Sequence, residues 1–277
     1  MVDKTLSNSD FSYNPITAIS EEEATGKTAE IFLDIRKTMN ISLITSIWRG
    51  LASMNNSLEE VWTLTKPIYL SGTPELALNN MINTVNLPTP KTFTKINLKN
   101  LKQNDLQNIK EIINVYNKSN GMNLMALSAF VMSDYKPRVN IINITPRIIK
   151  PVFPKLMHKN EITSETWSII RNINSIGSPQ GLHSHIATLW RHLAHWPEFL
   201  SLVYKNFKPL DSSGEIIKAQ ENILIHVKEN GINLKRQKIK YTDINDIALN
   251  TIQNYVHTTN QVIRMVVLGN MMDKWLR

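Results

Sequence analysis

Four of the seven histidines, His183, His185, His192 and His195, fall within 13 residues. Imidazole ligates metals and accepts protons near neutral pH, so such a cluster is the first place to look for chemistry. A metal site needs three or four converging ligands, each oriented by a further hydrogen bond. His185 and His192 are seven residues apart, which puts both on one face of a helix. The weightier reading is of surface or half-buried histidines along an amphipathic helix, and no metal is expected. Asn117 and Asn120 form a second feature, in Tyr116-Asn117-Lys118-Ser119-Asn120-Gly121. Asparagine competes for backbone hydrogen bonds and fits poorly inside a helix. The stretch reads as a loop with Asn as a cap, or as a place where an amide faces a pocket.

Other chemistries are closed off. Without cysteine there is no thiol nucleophile, no thiol redox pair and no iron–sulfur cluster. Gly26-Lys27-Thr28 ends like a phosphate-binding loop, but Glu21 stands where the upstream glycine is required. The GxSxG, HExxH and GxGxxG patterns are absent, and no cofactor is expected. The net charge is +8, with the basic residues spread along the chain. The densest group is Lys235, Arg236, Lys238 and Lys240. This balance favours a small anionic molecule over nucleic acid. No apolar run approaches the roughly 18 residues that span a bilayer, so no membrane partner is expected. The opening Met-Val-Asp-Lys lacks the apolar core of a signal peptide, and a cytoplasmic location is the expectation. A homodimer is compatible with the sequence.

The elements that must position these residues are helical. Hydrophobic residues make up 42% of the 277, enough for a sizeable core. Strand-like alternation is absent outside a central Pro-containing stretch, so the fold class is all-α, with roughly twelve helices. Ser20 with Glu23 and Ser57 with Glu60 have capping-box spacing. Pro74 and Pro197 suit the first turn of a helix. The tail Gln261–Leu276 is apolar enough for a buried helix.

An internal repeat organises the chain. Residues 46–85 align with 188–227 without a gap, and 13 of the 40 positions are identical. Among them are Trp48/Trp190, Arg49/Arg191, Pro67/Pro209 and Gly72/Gly214. A second block at an offset of 140 pairs Asn120 with Asn260 and Met125 with Met265. The halves are read as 18–132 and 162–277, joined by a crossover over 133–161 that holds Pro137, Pro146, Pro151 and Pro154. The duplicated Trp-Arg step is read as architecture, Trp filling volume and Arg tying helix ends or carboxylates.

Asp34-Ile35-Arg36, Trp48-Arg49, Asn117-Lys118-Ser119-Asn120 and Leu193-Ala194-His195-Trp196-Pro197 resemble the group I 2-haloacid dehalogenases. The resemblance runs from about residue 18 to 275 and is more distantly similar to the carboxymuconolactone decarboxylase and alkylhydroperoxidase superfamily. It implies an all-α pseudo-dimer of two helical repeats. The implied activity is hydrolysis of 2-halo carboxylic acids with inversion, an Asp activating the water that attacks C2.

Carried over residue by residue, the family's Ser-Asp-aromatic run falls on Thr188, Leu189 and Trp190. The base is therefore replaced by leucine, which accepts no proton. The aromatic pocket positions fall on Leu43 and Ser46, Asn120 is retained, and the family's late tyrosine falls at Tyr255 or Val256. The resemblance thus implies Leu43, Ser46, Asn117, Asn120, Trp190 and Tyr255 as substrate-binding positions. His185, one helical turn before Leu189, is a candidate substitute base, with an unassigned carboxylate as the alternative. Three readings follow: a family member that has lost the standard base but still binds a small 2-substituted acid, a working hydrolase using His185 or an unassigned carboxylate as base, and a non-catalytic helical ligand-binding or interaction protein.

Overall fold

The structure, a computed structural model, describes residues 18–90, 101–132, 153–178, 186–232, 244–257 and 259–277. Every regular element among them is helical: α1 Gly26–Met39, α2 Ser46–Ala52, α3 Ser57–Leu70, α4 Thr73–Thr84, α5 Gln103–Met132, α6 Ser164–Asn174, α7 Thr188–His192, α8 Pro197–Ser212, α9 Glu215–Asn230, α10 Asp246–His257 and α11 Arg264–Leu276. The all-α expectation holds. The bulk of the crossover, 133–152, and with it Pro137, Pro146 and Pro151, lies outside the described residues.

The prolines punctuate the helices as expected. Pro74 lies in the first turn of α4 and Pro197 opens α8, where the missing N–H costs nothing. Gly72 and Gly214, at equivalent places before α4 and α9, have φ of 71° and 77°. A side chain there would be strained, so glycine is the natural residue for both turns. Pro67 and Pro209 both sit inside helices, near the ends of α3 and α8.

Three local expectations are corrected. Ser20 and Glu23 do exchange side-chain–backbone hydrogen bonds, each 3.1 Å, but they close a separate turn and α1 begins only at Gly26. Ser57 lies within α3, and the N-cap position is Asn56 in the left-handed region. The stretch Tyr116–Gly121 is not a loop: it is the middle of α5, a 30-residue helix. Buried apolar neighbours such as Ile112, Ile113, Leu124 and Met125 hold it helical, so packing overrides the low propensity of its asparagines.

That long helix is the axis of the molecule. α3 and α4 pack on α5 from one side of the chain, and α7, α10 and α11 from the other. α1 covers α3, and α6 and α9 flank α8. The last two helices run on from one another through a π turn, Thr259–Ile263, with non-helical backbone at Gln261. α5 runs unbroken through the stretch 140 positions earlier.

Candidate functional site

The middle of α5 carries a buried polar row: Tyr116, Asn117, Ser119, Asn120 and Asn123. Spacings of three and four place Tyr116, Ser119, Asn120 and Asn123 along one side of the helix. Asn123 anchors the lower end. Its Oδ1 accepts from Trp48 Nε1 at 3.2 Å and Tyr69 Oη at 2.9 Å, and its Nδ2 donates to Thr45 Oγ1 at 3.0 Å. Thr45 Oγ1 lies 3.2 Å from Ser119 Oγ. Trp48 meets Trp62 edge-on with ring centroids 5.4 Å apart. Tyr255, on α10, brings its hydroxyl toward the same Asn123 but has no well-formed hydrogen bond. Burial raises the pKa of Tyr255 and of Tyr69, so both stay protonated.

The upper end of the row meets α7. The Tyr116 hydroxyl interacts with Thr188 and lies 3.5 Å from His192 Nδ1. Burial pushes the Tyr116 hydroxyl up to about 12. His192 Nε2 lies 2.7 Å from the Pro154 carbonyl oxygen. A carbonyl only accepts, so the proton is on Nε2 and Nδ1 presents its lone pair to Tyr116. Burial lowers the pKa of His192 and keeps the ring neutral. Phe153 closes the other side of the imidazole at 5.9 Å.

The sequence-derived site residues are distributed around this row. Thr188 and Leu189 open α7 and both are buried, Leu189 to 1% exposure. Leu43 is buried just ahead of α2, and Ser46 is the half-buried first residue of α2. Asn120 is 8% exposed, and its amide makes no hydrogen bond among the described residues. Asn117 points elsewhere. Its Oδ1 has no hydrogen-bond partner and presses on α11, where a Cβ placed on Gly269 would lie 1.9 Å away. Trp190 is buried with its Nε1 unpartnered. The contrast with Trp48 has a reason in the sequence: 140 positions beyond Asn123 stands Ile263. Tyr255 and Val256 are both buried on α10, and the tyrosine has the reach to Asn123.

His183 and His185 lie outside the described residues. Of their companions, His192 and His195 each bond a backbone carbonyl, of Pro154 and Lys155. No group of three metal-ligating side chains occurs among the described residues. The repeated arginines, expected to tie helix ends or carboxylates, bond instead to backbone carbonyls outside the helices: Arg49 Nε donates to Ile19 O at 3.4 Å and Arg191 Nε to Met157 O at 2.8 Å. Asp34 accepts from Trp62 Nε1 at 2.8 Å and pairs with Lys66 at 2.7 Å, which marks it as a structural carboxylate. Sequence reasoning passed over Tyr116, Asn123, Tyr69 and Arg264. The signal for the first two was their spacing of four and three from Asn120, which puts all three on one side of a helix. For Arg264 it was a lone cation within Val262-Ile263-Arg264-Met265-Val266-Val267.

No known family profile matches the sequence. No curated protein matches it either. Solved structures do. The crystal structure of a D-2-haloacid dehalogenase mutant superposes with a TM-score of 0.72 at 12% identity, covering 95% of this chain and 96% of that one. A complex of a D-2-haloacid dehalogenase mutant with D-2-CPA gives 0.68 at 12% identity, and a complex of the dehalogenase with L-LA gives 0.69 at 13%, both over the same shares. The chain therefore has the all-helical fold of these dehalogenases along nearly its whole length.

Proposed function

We propose that this protein binds a small 2-substituted carboxylic acid between its two helical halves and has lost the standard 2-haloacid dehalogenation. The observation that carries the reading is the pairing of a dehalogenase fold with a buried leucine, Leu189, at the place where the resemblance puts the base. An alkyl side chain can neither orient a water nor take its proton, and a lost general base costs about 10²–10⁴ in rate. The buried polar row of α5 supports retained binding. Asn120 offers an amide with no hydrogen bond among the described residues, and Thr188 offers a hydroxyl in contact with Tyr116. The duplication fits the same picture. Each half carries one Trp-Arg helix and a positive-φ glycine at an equivalent place, Gly72 and Gly214, with the ligand held where α5 of one half meets α7 and α10 of the other.

The second reading is a non-catalytic helical interaction protein whose pocket is filled. The burial of Leu43, Leu189 and Trp190 together favours it. Calorimetric titration with D- and L-2-chloropropionate and with lactate separates the two. The acid-binding reading predicts saturable heat from the wild type and at least about a tenfold weaker response from Asn120→Ala, because one charge-assisted hydrogen bond is worth roughly 1.5–3 kcal/mol. No heat from the folded wild type with any of these acids moves the protein to the interaction reading.

A further inference from the structure

Arg264, the first residue of α11, is 2% exposed and forms no ion pair with a carboxylate among the described residues. Its Nη1 donates to the backbone carbonyl of Asn174 and its Nη2 to Asn174 Oδ1 at 3.4 Å. A guanidinium has five N–H donors. Asn174 takes two, and the buried Nε has no partner. Burial alone lowers its pKa, to about 10, so the group stays cationic at neutral pH. An unpaired cation in the interior is among the costliest things a fold can hold, because neutral acceptors repay little of the lost hydration. If the side chain only tied α11 to α6, an uncharged amide would serve at less cost.

The surroundings point toward a ligand. Asn174 is not only the arginine's partner. Its Oδ1 also accepts from the backbone N–H of Ala187 at 3.1 Å, the residue immediately before Thr188 and Leu189. Arg264 therefore lies one side chain away from the start of α7, where the resemblance places the reacting centre. The chain breaks helical form just before it, at Gln261, although the equivalent stretch of α5 is continuous. Single π turns within helices are frequent at functional sites. The counterpart of Arg264 140 positions earlier is Leu124, so the cation belongs to one half only. Across the contact, Gln220 Nε2 is held by the Gly177 carbonyl, and Gly177 N–H donates to Asp211 Oδ1. That carboxylate is thereby engaged with its own neighbours and with Lys208.

We infer that Arg264 is the anchor of a buried carboxylate site at the α10–α11 break, its Nε edge taking the anionic group of the bound acid. This rests on the acid-binding reading above and names the residue that would hold the charged end. The planar fork matches a carboxylate through two parallel N–H···O bonds, a geometry that a spherical halide cannot use.

The test reads the arginine directly. The Nε–H cross-peak of Arg264 in a nitrogen-15 spectrum is identified by its absence from Arg264→Lys, and sodium acetate is titrated against sodium chloride at constant ionic strength. The inference predicts a saturable shift of that peak in the millimolar range with acetate and a much smaller one with chloride. It also predicts at least about a tenfold loss of acetate affinity in Arg264→Lys, since Lys offers no fork. Thermal unfolding of the wild type follows the same titration without any variant, and its midpoint rises as acetate replaces chloride. A peak and a midpoint indifferent to acetate overturn the inference, as does an equal response to chloride. The acid-binding reading fails separately. A shifting Arg264 peak with no 2-chloropropionate heat keeps the anion site and removes that reading. Calorimetric binding with a still peak does the reverse.

Discussion

His192 is the residue whose environment departs most from water while remaining titratable near neutrality. It is buried, bonded through Nε2 to Pro154, and neutral in the fold. Its pKa is lower in the folded than in the unfolded chain, where it titrates near about 6.5. Above that pH both states hold a neutral ring and the group contributes its full share to stability. As pH falls through about 6.5 toward the folded value, the unfolded chain takes the proton first and that stability is lost. His192→Asn keeps a donor for Pro154 and removes the titration. Thermal unfolding between about pH 7.5 and 5 should therefore show a shallower acid limb in the variant than in the wild type. Parallel limbs would show that His192 is not held neutral. None of this was legible from the histidine cluster alone. Spacing put His192 on a helix but gave no hint of Pro154, Tyr116 or Phe153, which arrive from segments 38 to 76 residues away.

At the scale of the element, the decisive contact is α5 against α11. Gly269 is helical and buried, and Asn117 Oδ1 occupies the space a Cβ would need. Gly269→Ala should cost about 1–3 kcal/mol, the usual penalty for overpacking a filled interior. Combining it with Asn117→Ala should recover most of that loss, since the two residues share one contact and their effects cannot add. Urea denaturation of the single and double variants measures the coupling, and additive losses would contradict the packing described. The sequence announced helices well where a local rule decides them. Pro74 and Pro197 start helices because a first-turn proline loses no hydrogen bond. It misled where packing decides. Tyr116–Gly121 looks like a loop by propensity, yet it is the buried centre of the longest helix. Asn117 looked like a ligand contact and instead faces a neighbouring helix.

At the scale of the whole molecule, the dehalogenase fold persists with 12–13% identity, so the arrangement of helices is preserved while most side chains are exchanged. Among the described residues no helix is long and apolar enough to cross a membrane. The all-α class was readable from helical periodicity and first-turn prolines, in a sequence that also carries 13 identities over 40 positions at an offset of 142. The polar row of α5 was not readable, because its partners Thr45, Trp48, Tyr69, Thr188 and Tyr255 converge only when α2, α3, α7 and α10 pack around it. The site's chemistry then hangs on one exchange, Leu189 at the place the resemblance gives to the base. Chloride release from D- and L-2-chloropropionate, compared between the wild type and Leu189→Asp with folding checked by circular dichroism, tests this most directly. The account predicts no release above the uncatalysed rate from the wild type and measurable release from Leu189→Asp. Release by the wild type, or none from a folded Leu189→Asp, would contradict it.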